Sequence, residues 1–283
     1  MYARLFSFLI VSLINIQCLT AQALDQATQT DSTRIWDLFK HDAKYTFKGV
    51  GHSLTRPLHW QGDDFAKLGI LMGGTAILSL ADNPIRDFSQ QNAGDLPAVI
   101  RDFGWYFGSP QNYFMANAGL YGFGLFTKNE KIRRTSVLII SSSITTGLIQ
   151  TFSKNAIGRA RPNSGGESLD FRPFANDPGY RSFPSGHTVL SMTMAHSIAK
   201  QFDNTWVKVG IYTVGAIPPI SRLIDDAHWF TDIAFSTVMS IFVVDCIDKF
   251  LFEEKAYDIP RKEKKISWNF RFSANQIGIV GTF

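Results

Sequence analysis

Three clusters of polar residues interrupt an otherwise apolar chain, and each carries side chains suited to holding an anion. In the first, Lys154 stands seven residues before Arg161-Pro162. Seven residues are about two helical turns, so the two cations share one face if the helix persists that far, and together they could hold a dianion. The second cluster, Pro184-Ser185-Gly186-His187, opens an apolar run. Backbone N–H groups at such a helix start, with glycine allowing close approach, make an anion site. The third cluster is Ser221-Arg222, then His228, then Asp232. A spacing of four lets the carboxylate hold one imidazole nitrogen and leave the other free. Arg222 adds a planar fork that matches phosphate oxygens. Brought together, two histidines, three cations and a helix start form a phosphoryl-transfer site.

The elements that must position these clusters are six apolar or amphipathic runs: 65–81, 111–126, 135–152, 185–202, 206–223 and 229–252. Charged residues, Gly or Pro bound each one, as expected of helix ends. If the runs alternate in direction, the third ends where the fourth begins, and the fifth ends where the sixth begins, on the same side. All three clusters then meet at one end of a bundle, and the basic stretches 128–134 and 255–265 fall at the other. A membrane span needs about 20 largely apolar residues. The third and sixth runs come close, whereas 111–126 and 185–202 are short or polar. The mean hydropathy of -0.02 is low for six spans. The expected fold is therefore all-α, a six-helix bundle with core helices partly or wholly membrane-embedded. The number of spans stays open.

Flanking segments complete the plan. Residues 1–23 read as a signal peptide, with a basic start, an apolar stretch and an Ala21-Gln22-Ala23 cleavage site. Residues 24–64 make a polar segment and an amphipathic helix near 34–53, with Ile35, Trp36, Phe39 and Phe47 on one face. The helical bundle spans 65–252. A basic linker and a strand-like tail occupy 253–283, where apolar and polar residues alternate as in a short β-hairpin. The formal charge of +4 on 283 residues is mild, and the basic stretches carry no aromatic interleaving, which argues against nucleic acid as a partner. Cys18 falls in the signal segment, leaving Cys246 unpaired and excluding a disulfide framework.

The ordered pattern Lys-x6-Arg-Pro, Pro-Ser-Gly-His and Ser-Arg-x5-His-x3-Asp resembles that of the type 2 phosphatidic acid phosphatase superfamily. That superfamily also holds bacterial acid phosphatases and vanadium haloperoxidases. Lys154, Arg161, Pro162, Pro184, Ser185, Gly186, His187, Ser221, Arg222, His228 and Asp232 meet each fixed position of the pattern, and the resemblance covers 65–252. Arg181-Ser182-Phe183, Asp225 and Trp229 are more similar to the lipid phosphatase branch. The resemblance implies a metal-independent phosphatase acting on phosphate monoesters or pyrophosphates, probable lipids among them, without a cofactor. It implies catalytic roles for His228 (nucleophile), Asp232 (its orienting carboxylate) and His187 (acid, then base). Lys154, Arg161, Ser185, Gly186 and Arg222 would bind phosphate. His41, His52, His59 and His196 are read as structural or surface residues.

Three alternatives share the pattern: a periplasmic non-specific acid phosphatase, a vanadium-dependent haloperoxidase, and an inactive lipid-phosphate-binding envelope protein. Longer chains are usual for the haloperoxidases, and retention of both histidines and Asp232 weighs against the inactive reading. The expected location is the cell envelope, membrane-associated, with the site facing the periplasm. Export and the positive-inside tendency are both compatible with that placement. The substrate's tail and the oligomeric state are not legible.

Overall fold

The computed structural model describes residues 34–258 and, as backbone, 267–273 and 276–282. The signal-peptide segment and most of the basic linker lie outside the described residues. Each of the six apolar runs falls in a helix: α2 (Gly62–Leu78), α5 (Pro110–Phe126), α6 (Glu130–Ile157), α7 (Gly186–Ala199), α8 (Thr205–Ile224) and α9 (Phe230–Asp248). Further helices correct the expected count of six. Within the bundle, α3 (Asp82–Gln91) and α4 (Ala98–Phe107) stand between α2 and α5, while α1 (Ile35–Thr55) precedes it in the segment where a separate amphipathic helix is expected. The sequence of α3, DNPIRDFSQQ, is too polar to register as an apolar run, yet it forms a full helix. Leu38–Ile259 make one compact unit. Outside it, β1 (Ser267–Ser273) and β2 (Gln276–Thr282) pair antiparallel, with Ser267 opposite Thr282 and Ser273 opposite Gln276.

Helix α6 packs against α5, α7 and α9. Its core positions mix Val137, Leu138 and Ile139 with buried Ser141, Ser142, Ser143, Thr145 and Thr146. A buried hydroxyl without a partner is costly, so most of these bond their own helix. Ser141 donates to the Val137 carbonyl at 2.7 Å, Ser143 to Ile139 at 2.6 Å and Thr146 to Ser142 at 2.7 Å. Small hydroxyl residues thus let helices approach closely while leaving few bare polar atoms. Around them, Val137 and Leu138 join Val243, Val244, Ile247 and Leu251 of the α9 segment in one apolar cluster. Ile139 joins Tyr113, Leu190 and Met194 in another.

In helix α1, Ile35, Trp36, Phe39 and Phe47 share the exposed face. Leu38, Asp42, Thr46, Gly49 and Val50 face inward, while Trp36 and Phe47 are exposed. The cause is a charge pair: Arg133 grips the Asp42 carboxylate with two 2.8 Å bonds. Tyr121 donates to the same carboxylate at 2.9 Å, and Tyr257 donates as well. A buried carboxylate demands such donors, and satisfying it turns the apolar face of α1 outward.

Among the described residues, three segments are long and apolar enough to cross a membrane: Gly62–Gln91, Glu130–Ile157 and Phe230–Glu253. The first is notable because α2 buries none of its residues. A helix that is apolar all round and unburied by protein suits hydrocarbon better than water.

Candidate active site

The third polar cluster is built by a helix start. Trp229 is the N-cap of α9, and Asp232 at the third helical position accepts the Trp229 N–H at 3.0 Å. This local motif fixes Asp232 beside the residue preceding the cap, His228. The His228 Nδ1 to Asp232 Oδ2 distance is 3.3 Å. The bond calls for the Nδ1–H tautomer and leaves Nε2 unprotonated. Asp232 is fully buried and also accepts from the Ser182 hydroxyl and, at 2.7 Å, from Arg159 Nη1.

Lys154 and Arg161 meet, but not along one helix. Helix α6 ends at Ile157, and Gly158 takes a left-handed φ of 60° as its C-cap. A Cβ at Gly158 would lie 1.9 Å from the Arg172 carbonyl oxygen, so glycine is required by both conformation and space. The turn brings Arg161 back toward Lys154. Both donate to the Arg181 carbonyl, at 2.7 Å from Lys154 and 3.3 Å from Arg161.

Ser185 caps α7, and Gly186 and His187 are its first residues. The Ser185 N–H donates to Ser236 Oγ of α9 at 2.8 Å, which docks this helix start on the helix carrying Asp232. The N–H groups of Gly186, His187 and Thr188 fall in the first turn, where a helix supplies no carbonyl partner. Glycine at 108 makes room for the imidazole, since a Cβ there would lie 2.5 Å from His187 Cδ2. Arg222, in the last turn of α8, donates to Asp225 at 2.7 Å and lies 4.7 Å over the Trp105 ring.

These residues border one cavity of about 820 Å³. Lys154, Arg161, Gly186, His187, Arg222 and His228 line its polar end. Pro110, Phe114, Ile144, Leu148 and Leu190 continue it as an apolar wall. Of the eight expected site residues, Asp232 and Ser185 do not line the cavity. Asp232 stands behind His228, and Ser185 is fully buried with its hydroxyl accepting from Thr188 at 3.0 Å.

Burial and neighbouring cations keep both histidines neutral. Desolvation holds His228 down to about 4, against the pull of its hydrogen bond to Asp232, with Lys154 and Arg161 lowering it further. His187 is pushed down to about 3, first by desolvation and then by Arg222, His228, Arg161 and Lys154. Its Nε2 is buried and has no hydrogen-bond partner among the described residues.

Residues 135–252 match the sequence family described as the PAP2 superfamily. The matched stretch runs from α6 through α9 and so contains each of the three polar clusters. The chain is also 24% identical over 175 residues to the Lipid A 1-phosphatase of Porphyromonas gingivalis. That match covers 61% of this chain and 35% of the relative, so the chain spans about a third of the relative's length. Among solved structures it is similar to the crystal structure of Aquifex aeolicus LpxE, with a TM-score of 0.42 and 18% identity, over 58% of this chain and 93% of that chain.

Several contacts around the polar clusters are not encoded in residue spacing. Arg159 and Ser182 bond Asp232 directly, and Asp82 of α3 reaches Arg159 from 77 residues away. Trp105, Gln150 and Asn163 line the cavity. Arg159 lies inside the Lys154–Arg161 stretch, but nothing in its spacing sets it apart from a surface arginine. Of the remaining histidines, His196 bonds Tyr212 and Asp245 at the far end of α7, and His52 stacks on Phe250.

Proposed function

We propose that this chain is a metal-independent phosphatase that hydrolyses phosphorylated lipids through a phosphohistidine. The observation that carries the reading is the cavity itself: a cationic end with two neutral histidines, continued by an apolar wall. A phosphate needs the first and a lipid tail the second. The Lipid A 1-phosphatase relative points the same way.

In this reading His228 Nε2 attacks phosphorus, and Asp232 balances the positive charge that the imidazole acquires. The P–O bond to the leaving group breaks as His187 donates a proton to that oxygen. Water then attacks the phosphohistidine with His187 taking its proton, and inorganic phosphate departs from a restored His228. Lys154, Arg161 and Arg222 hold the equatorial oxygens, supplying the charge that would otherwise be asked of a metal. Gly186 adds its N–H at the helix start. Ser185 contributes as the cap that orients this turn, with its hydroxyl one layer back. His187 is neutral in the free site because cations surround it. A bound phosphate dianion offsets those cations and raises its proton affinity, which prepares it as the acid.

The membrane is the natural partner. The end of α6 carrying Lys131, Arg133 and Arg134 is separated from Lys154 by most of a 28-residue helix, about 42 Å in full. Positive residues favour the cytoplasmic side, which turns the site outward, toward the periplasm.

Phosphate release tests the proposal, measured with EDTA present on phosphatidate, undecaprenyl pyrophosphate, lipid A and p-nitrophenyl phosphate. Release from a lipid that His228→Ala abolishes is the expected result. Activity confined to the soluble ester would favour a non-specific acid phosphatase, and activity that survives His228→Ala would remove the nucleophile.

A further inference from the structure

Behind the cavity, a line of buried charge joins α3 to the start of α9. Asp82 Oδ2 accepts from Arg159 Nη2 at 2.5 Å, and Arg159 Nη1 donates to Asp232 Oδ1 at 2.7 Å. The same guanidinium donates to Thr231 Oγ1 at 2.7 Å and to the Ser168 carbonyl at 2.7 and 2.9 Å. Asp82 in turn accepts the Thr231 N–H at 2.9 Å and the Thr231 hydroxyl at 2.7 Å. Asp82, Arg159 and Asp232 are each at most 3% exposed, and none of them lines the cavity. Asp82 lies before the matched residues 135–252.

Stability alone is a poor reason for this arrangement. Burying charges costs desolvation, and well-packed apolar residues often serve stability as well or better. The charge count offers a better one. Two carboxylates and one guanidinium leave one net negative charge, and its open side is His228. Without Asp82, the Arg159 charge would cancel that of Asp232 just where the imidazole becomes positive. Further contacts of α3 hold this geometry. Arg86, one turn after Asp82, bonds both oxygens of Asp226 at 2.7 Å and the Pro162 carbonyl at 3.1 Å. Gln90, a turn later, donates to the Leu223 carbonyl at 2.9 Å.

We propose that Asp82 and Arg159 are positioning residues: Arg159 fixes the Asp232 carboxylate, and Asp82 neutralises Arg159 so that Asp232 keeps its charge for His228. The inference rests on the reading of His228 as nucleophile.

The test compares wild type, Asp82→Asn, Arg159→Gln, the double variant and His228→Ala. It records kcat and KM for p-nitrophenyl phosphate and for the lipid turned over, orthovanadate affinity by calorimetry, and thermal unfolding. Orthovanadate mimics phosphate in five-coordinate geometry and bonds imidazole, so it reads the same charge balance without turnover. Asp82→Asn is expected to lower kcat about tenfold or more, with KM within about twofold and a parallel loss of vanadate affinity. The double variant removes both charges, and its two new amides can pair. It should regain most of the lost kcat and affinity, and that regain stands as support even if a single variant fails to fold. A purely structural pair would instead give a double variant no better than the worse single one. That result, or wild-type kcat in Asp82→Asn, overturns the inference. If His228→Ala abolishes release while Asp82→Asn leaves it intact, only this inference falls. Release that survives His228→Ala removes both. If wild type releases no phosphate, the phosphatase reading falls, and vanadate affinity decides this one: loss with recovery supports it, and equal affinity in Asp82→Asn overturns it.

Discussion

At the scale of single residues, the two histidines differ in their surroundings, as the proposed division of roles requires. His228 has its Nδ1 engaged by Asp232, and His187 has a buried Nε2 with no partner among the described residues. If His187 is the acid as proposed, His187→Ala should lower kcat on a lipid about 10²–10⁴-fold. The loss should be smaller on p-nitrophenyl phosphate, whose leaving group departs without a proton, and steady-state kinetics on the two substrates checks this. The same residues set a pH dependence of folding. Both fall from an ordinary value of 6.5, to about 3 for His187 and about 4 for His228. Between those values the unfolded chain binds protons that the folded chain refuses. The contribution to stability is therefore whole above pH 6.5 and is lost as pH falls toward 4. The cost is up to about 1.4 kcal/mol per pH unit for each histidine. Unfolding midpoints at pH 7 and pH 5 should differ more for wild type than for His187→Asn.

At the scale of elements, the ends of helices carry the site. The last turn of α6 supplies Lys154, the first turn of α7 supplies Gly186 and His187, the last turn of α8 supplies Arg222, and the start of α9 supplies Asp232. Gly158 is the hinge of this design, because it ends α6 and redirects the chain so that Arg159 faces Asp232 and Arg161 faces Lys154. Gly158→Ala meets both a left-handed φ and the Arg172 carbonyl. It should destabilise the fold by more than about 1 kcal/mol. Thermal unfolding measures the loss, and activity should fall with it, since both arginines move.

At the scale of the whole molecule, the cavity's direction matters most. Its cationic end meets the loops, while Phe114, Ile144 and Leu148 extend it along α5 and α6. Leu148 and Phe114 are also partly exposed, so the apolar wall reaches the outer face of the bundle. Gly147 lines this wall, and a Cβ there would meet nothing within 4 Å. A side chain at 147 therefore starts without a clash and would extend into the path proposed for a lipid tail. Gly147→Phe should raise KM for a lipid substrate about tenfold or more and leave p-nitrophenyl phosphate hydrolysis near wild type. Each large apolar group in contact with a tail is worth about 1.5–3 kcal/mol. Equal effects on both substrates would argue against a tail in this groove.

The primary structure by itself determined the chemistry of the polar end. Residue types and short spacings, such as the four residues between His228 and Asp232, are local, and a helix start converts them directly into geometry. The apolar runs likewise became helices, because burial follows periodicity and run length. What the tertiary structure alone decided involves distant partners and orientation. Asp82 and Arg159 are 77 residues apart, and only packing of α3 against the α9 start gives them a reason to meet. The inward face of α1 carries a carboxylate because Arg133, on another helix, needs Asp42. Lys154 and Arg161 converge through a glycine turn and not along one helix, since a left-handed residue at 158 breaks the 3.6-residue period that spacing assumes. Spacing along a chain encodes contacts only while one element persists; beyond it, the partner is chosen by which buried charges and faces must be satisfied together.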